Sequence, residues 1–212
     1  MGRGRKRTEH PETARRILAA AENQFAAQGL AGARTDEIAA AAHANKAMLY
    51  YYFGNKRRLH RAVLENLFGH LRGLFESLAV SKEPPRKKLE IFMNGYFNFL
   101  ATHPNYPRLV QREAMQSSRE FEWIFREFLR PFANTLQKII EAGVEAEEFR
   151  PIDSRHAVFS LIGMTNFYFV AAHRFGHLFG KDMLAPRAIA ERKRAQLDFI
   201  MHGLMPSESR SR

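Results

Sequence analysis

The side chains with the clearest chemistry lie between residues 35 and 56. Lys46, Ala47, Met48, Tyr50 and Tyr51 are spaced to share the outward side of one short helix, whose inward side carries Leu49 and Phe53, four residues apart. A short helix that turns tyrosines and a lysine to solvent adds little to folding stability. The same face suits contact with a DNA duplex. In that role Ala47 and Met48 are placed to touch thymine methyls, and Tyr50 and Tyr51 to meet base edges. Thr35, Lys46, Tyr52 and Lys56 are placed to hold phosphates, and Asn55 adds a backbone N–H through the start of the next helix.

Other chemistry finds little support. His173 and His177 have the i, i+4 spacing of two metal ligands on a helix, but Gly176 lies between them and no acidic pair follows. His103, His156 and His202 are isolated, and Glu145, Glu147 and Glu148 read as a solvated run rather than an acid/base pair. There is no glycine-rich phosphate loop. There is no cysteine, hence no disulfide framework and no thiolate metal site. No catalytic residue, metal or cofactor is nominated, and the expectation is a protein that is not an enzyme. The lack of cysteine fits a reducing cytosol, and no apolar segment follows the basic start as a secretory signal would, so a cytoplasmic location is expected.

The elements that must position the tyrosine face are legible on both sides of it. Thr35 reads as an N-cap, with Asp36 and Glu37 where a helix dipole favours negative charge and with Ile38, Ala39 and Ala42 as a small apolar stripe. The pattern breaks at His43-Ala44-Asn45, and Asn45 caps a second helix starting at Lys46. This is a helix-turn-helix. Before it, residues 11–28 form an alanine-rich helix with Ile17, Leu18, Ala21 and Phe25 inward, and Gly29 ends it. After it, Asn55 caps a long helix to about Leu78, with Leu59, Val63, Leu67, Leu71, Leu74 and Leu78 along one stripe. At about 1.5 Å per residue this rod is roughly 36 Å long.

Residues 13–65 resemble the DNA-binding region of the tetracycline-repressor (TetR) family. The matching residues are Arg16-Ile17-Leu18, Phe25, Gly29, Asp36-Glu37-Ile38-Ala39, Leu49-Tyr50, Tyr52-Phe53 and Asn55-Lys56. Three positions depart from the family's habit: His43 where glycine is usual in the turn, Asn45 for a Ser or Thr cap, and Ala47-Met48 for a Gly-Thr pair. Histidine tolerates a positive φ better than most residues, so the turn survives the first change. Met48 has no hydrogen bond to donate to a phosphate or base.

Charge follows the same division. Residues 1–62 hold twelve Lys/Arg against five Asp/Glu, a net +7; the other 150 hold 21 against 17, a net +4 of the total +11. A basic N-terminal region is the footprint of a polyanionic partner. Arg3, Arg5, Lys6 and Arg7 make a basic arm over residues 1–10, and residues 207–212 are a polar tail.

Beyond the break at Ser81–Pro85, further helices are expected over about 86–102, 107–116, 120–146 (kinked at Pro131), 157–172 and from Pro186. The chain therefore reads as all-α with about nine helices: a helix-turn-helix domain over 11–58 and a helical ligand-binding and dimerisation domain over 59–206. Residues 157–172 carry no charge and are too short to span a bilayer, so no membrane partner is expected. A helix apolar all round is buried all round, here by its own domain and by a second copy of the chain. Gly163, Phe169, Leu197, Ile200, Met201 and Leu204 are the expected dimer residues, making a four-helix bundle, as the resemblance also implies. Twelve of eighteen phenylalanines fall between residues 91 and 178. The resemblance implies a ligand pocket between the fourth and eighth helices, for which the candidates are Phe97, His103, Tyr106, Trp123, Phe128, Asn166, Phe167 and Tyr168. The expected function is a transcriptional regulator acting as a homodimeric repressor on a palindromic double-stranded DNA operator, released by a small apolar or aromatic effector. The same fold without an effector, under the control of a protein partner, or a nonspecific DNA-binding protein, are the alternatives.

Overall fold

A computed structural model describes residues 11–116 and 119–206. The basic arm, the polar tail and the side chain of His173 lie outside the described residues. Within them the secondary structure is helical throughout: α1 Pro11–Gly32, α2 Thr35–Ala41, α3 Lys46–Phe53, α4 Lys56–Val80, α5 Pro85–Thr102, α6 Tyr106–Gln116, α7 Arg119–Ile124, a π-helical turn Phe125–Leu129, α8 Arg130–Glu145, α9 Ser154–Phe179 and α10 Pro186–Leu204. No described helix is long and apolar enough to cross a membrane.

The expected seventh helix is three segments rather than one. Pro131 has no N–H for the Glu127 carbonyl, and its ring crowds the preceding turn. The chain absorbs this by widening: the Arg130 N–H reaches back to the Phe125 carbonyl, and α8 restarts with the proline in its first turn, where no donor is needed. The described residues thus hold ten α-helices and a π turn, where about nine helices are expected.

The residues form two compact units. The first takes the chain up to Gly69 together with Arg108–Glu122. Its core is Ile17, Phe25, Ile38, Leu49, Leu59 and Val63, all buried, with the small Ala21, Ala39 and Ala42 letting α1, α2 and α3 approach closely. At Gly29 the chain turns sharply, with φ 70°. A side chain there would be strained, and its Cβ would also sit 2.9 Å from Arg112 Cδ. The Arg112 guanidinium donates to the Ala27 carbonyl at 3.0 Å, and Arg57 pairs with Glu120 at 2.7 Å. The segment 108–122 is thereby tied to the first unit, although the sequence pattern assigns it to the second domain.

The second unit, His70–Pro107 with Trp123–Arg212, packs α5 against α8 and α9 and against α10. Phe132 is its centre, with the rings of Phe75, Phe92 and Tyr96 at 4.6, 5.0 and 5.0 Å. Asp153 caps α9 by accepting from the Arg155 N–H at 2.9 Å, and the Arg155 side chain holds its carboxyl well below the usual range. Glu148, expected in a solvated run, instead accepts from the Arg86 N–H at 2.7 Å and so serves the first turn of α5.

Candidate nucleic-acid interface

The turn between α2 and α3 is built from three local devices. His43 adopts φ 49°, the left-handed conformation that the missing glycine would have supplied. Asn45 accepts from the Met48 N–H at 2.8 Å and fixes the first turn of α3. Asn55 accepts from the Arg58 N–H at 2.9 Å and does the same for α4. Thr35 is not the cap of α2: Arg34 occupies that position without a side-chain bond, and Thr35 is the first helical residue, half-buried.

Between these caps α3 splits as its spacing demands. Leu49 is buried and Phe53 half-buried. Tyr50 is 41% and Tyr51 53% exposed, beside exposed Lys46 and Ala47 and half-buried Met48. The Tyr51 and Tyr52 rings meet edge-to-face at 5.1 Å, which steadies a pair of rings that would otherwise sweep freely.

The lysines have partners of their own. Lys46 Nζ lies 2.6 Å from an Asp36 carboxylate oxygen, which holds the Asp36 carboxyl below its ordinary value and raises the lysine. Lys56 Nζ donates to the carbonyls of Ala31 and Ala33, each at 3.1 Å, and so neutralises the end of α1. Two of its three donors are thus spent on the fold. Arg34 and Arg58, which motif spacing does not single out, are exposed at the starts of α2 and α4. The signal was their position beside Thr35 and Asn55.

Comparison with known proteins decides what this arrangement is. Residues 17–63 match the profile of bacterial regulatory proteins of the tetR family, and residues 85–200, more than half the chain, match the tetracyclin repressor-like C-terminal domain. The chain belongs to the TetR family. It is a helix-turn-helix, DNA-binding transcriptional regulator. Among TetR-family relatives, the HTH-type transcriptional repressor NicS of Pseudomonas putida is 26% identical over 192 residues, 89% of this chain and 90% of that one. The fold is shared with the ketosteroid transcriptional regulator KstR2 of Mycobacterium tuberculosis, with a TM-score of 0.78 at 18% identity over 97% of this chain and 98% of that one. It is shared also with the regulator FadR of Bacillus subtilis, solved in complex with stearoyl-CoA, with a TM-score of 0.67 at 21% identity over 89% and 98% of the two chains.

The residues expected to line a TetR-type effector pocket fall into several groups rather than around one of the cavities. Phe97 is buried against Phe169, with ring centroids 5.1 Å apart. The Asn166 amide is bonded to the Tyr96 hydroxyl, and burial pushes that phenol up. His103 stacks on Phe99 at 4.5 Å, with buried Tyr106 edge-on to the same ring at 4.9 Å. Trp123 meets Phe128 edge-on at 5.2 Å. Of the eight, Phe128 lines a cavity of about 270 Å³ by α4 and α8, whereas Phe167 and Tyr168 line one of about 210 Å³ on α9, beside Arg192. A larger groove of about 460 Å³ lies between α4, α5 and α8 and contains none of them.

The expected dimer residues are likewise divided. Phe169, Ile200 and Leu204 are buried in their own unit, Leu197 and Met201 are half-buried, and Gly163 faces open space. The outward apolar residues are Phe159 (83% exposed), Phe167 (60%), Phe175, Leu178 (71%) and Phe179 on α9 and Phe199 (68%) on α10.

Proposed function

We propose that this regulator is a homodimeric, cytoplasmic repressor that binds a palindromic operator and leaves it when an effector occupies the second unit. The observation that carries the DNA role is the solvent-facing side of α3, where two tyrosines are held out by a capped turn. Ala47, Met48, Tyr50 and Tyr51 read the major groove, and Thr35, Lys46, Tyr52 and the start of α4 at Asn55 hold phosphates. Lys56 has one donor left for a phosphate, and Arg34 and Arg58 add to the same role.

Dimerisation is supported by α9 and α10. Phe159, Gly163 and Phe167 recur every four residues on one outward stripe of α9, and Phe199 is an outward aromatic on α10. Large apolar side chains grouped this way mark an interaction surface rather than a solvated one. Two copies joined there would set their α3 helices in successive major grooves, with centres about 34–36 Å apart. Release is supported by α4, whose residues contribute to both compact units. An effector that favours the non-binding arrangement by about 100-fold shifts the equilibrium by about 2.7 kcal/mol. FadR of Bacillus subtilis, which shares the fold, was solved in complex with stearoyl-CoA, and this supports a ligand with a large apolar part.

The test is selection of binding sites from random duplex DNA. The reading expects a palindrome whose half-sites are centred about 10 base pairs apart. Recovery of a single, asymmetric half-site would remove the homodimer from the account, and recovery of no common sequence would leave a nonspecific binder.

A further inference from the structure

The groove between α4, α5 and α8 has a composition that selects its occupant. Its floor is apolar, from Leu78, Pro131 and Ile139, and it shares Ala79, Pro131 and Thr135 with the neighbouring cavity bounded by Phe75 and Phe128. The two spaces therefore adjoin across those residues as the two parts of a trough. The larger part is lined by Lys88 from α5 and Lys138 from α8 and, among the described residues, by no acidic side chain. Among the described residues neither lysine has a carboxylate within ion-pair distance. The acids nearest in sequence have other partners: Glu90 pairs with Arg86 and Lys87, and Glu141, which feels the charge of Lys138, accepts from Gln137 at 2.7 Å and Ser154 at 2.8 Å. In the smaller part both signs occur, with Arg72 lying over the Phe128 ring at 5.1 Å and Glu76 and Glu127 also on the lining.

A second observation falls on the same wall. The π turn at Phe125–Leu129 and Pro131 form one side of the trough. π turns inside α-helices concentrate at functional sites. Here the turn sets Phe128 and Pro131 on the trough lining.

We propose that this trough is the effector site and that it takes an amphipathic anion: an extended apolar chain along Phe75, Phe128, Pro131 and Ile139, ending in a carboxylate or phosphate held by Lys88 and Lys138. The inference deepens the effector reading given above and rests on it. It replaces the aromatic residues around Asn166 and Tyr168 as the binding surface. The charge assignment follows from chemistry, since two ammonium groups on a wall that carries no carboxylate attract an anionic head and repel a cationic one.

The chain carries a native reporter, because its single tryptophan, Trp123, touches Phe128. The full-length protein is titrated with dodecanoate, dodecyl phosphate, dodecanol and dodecyltrimethylammonium below their micellar concentrations. Trp123 emission and heat are followed in parallel. Both anions are expected to saturate at least 10-fold more tightly than the alcohol and the cation, and the preferred anion identifies the head group. Lys88→Glu with Lys138→Glu is expected to abolish that preference, and Ala79→Phe to block all four ligands. Circular dichroism confirms that each variant is folded. Equal affinity for anion and alcohol, or anion binding untouched by the double charge reversal, overturns the proposal. Operator affinity measured with and without saturating anion separates the two readings: selective binding that leaves DNA affinity unchanged keeps the site and removes its effector role.

Discussion

His60 Nε2 lies 3.3 Å from Glu113 Oε1, with both side chains buried, joining α4 to α6 inside the first unit. The His60 ring also meets Phe25 edge-on at 4.7 Å, so the pair reaches the core beneath the helix-turn-helix. The contact is a close polar approach rather than an aligned hydrogen bond, since neither ring nitrogen finds one of good geometry. Removing one partner leaves a buried polar group facing apolar walls. Glu113→Ala is expected to cost about 3 kcal/mol, read as a lower urea midpoint. Replacing both, His60→Phe with Glu113→Leu, is expected to recover most of that loss, because volume is kept and no charge is stranded.

Asp36 restrains Lys46 at the DNA-facing end of α3. Asp36→Asn is expected to tighten binding to all duplex sequences and to steepen the salt dependence by about 0.9 for each lysine recruited to a phosphate. Fluorescence anisotropy across a salt series measures both. The pH behaviour has a definite sign. Because the Asp36 carboxyl is depressed, first by its hydrogen bond with Lys46 and then by that charge, the pair is intact above the ordinary Asp value of about 3.9 and is lost only as pH falls through the lower folded value. Varying pH between 6 and 8 is therefore expected to leave this pair's effect on DNA binding unchanged, in contrast to the substitution.

Asn166 belongs to the core of the second unit. Its amide bonds both the Tyr96 hydroxyl and, at 3.0 Å, the Ile162 carbonyl. Asn166→Ala strands a buried phenol and is expected to lower stability by about 1–3 kcal/mol. Denaturation of the ligand-free protein reads this directly; a role limited to effector contact would leave that curve unmoved.

The outward stripe of α9 predicts assembly. Wild-type protein is expected to sediment at twice the 24.5 kDa of one chain. Phe159→Lys with Phe167→Lys is expected to give a folded monomer, because both side chains already face solvent. Phe169→Lys, placing a charge in the core, is expected to unfold the domain instead.

What could be read from sequence was what is decided locally. The caps at Asn45 and Asn55 and the split of α3 into Leu49 against Tyr50 and Tyr51 depend on neighbours within one turn, and the structure has them as spacing suggests. The orientation of α9 was not legible, because Phe159, Leu161, Phe167 and Phe169 are all apolar and periodicity cannot choose among apolar faces. Packing chose Leu161, Thr165, Phe169 and Ala172 as the inner side. Pro131 was legible as an interruption, but the widened turn that accommodates it depends on how α7 and α8 continue on either side. The pocket candidates were aromatic residues with polar tips, and such residues satisfy one another in a core as readily as they receive a ligand. Two lysines on separate helices, 50 residues apart, gave no pattern to find.

The central claim is that the exposed side of α3 reads duplex sequence. Competition binding of the full-length protein between its selected operator and unrelated duplex, at physiological salt, tests it most directly. The account expects the operator to be preferred by about 10³-fold or more, with Tyr50→Ala and Tyr51→Ala removing most of that preference. Equal affinity for the two duplexes, or a preference indifferent to both tyrosines, would contradict it.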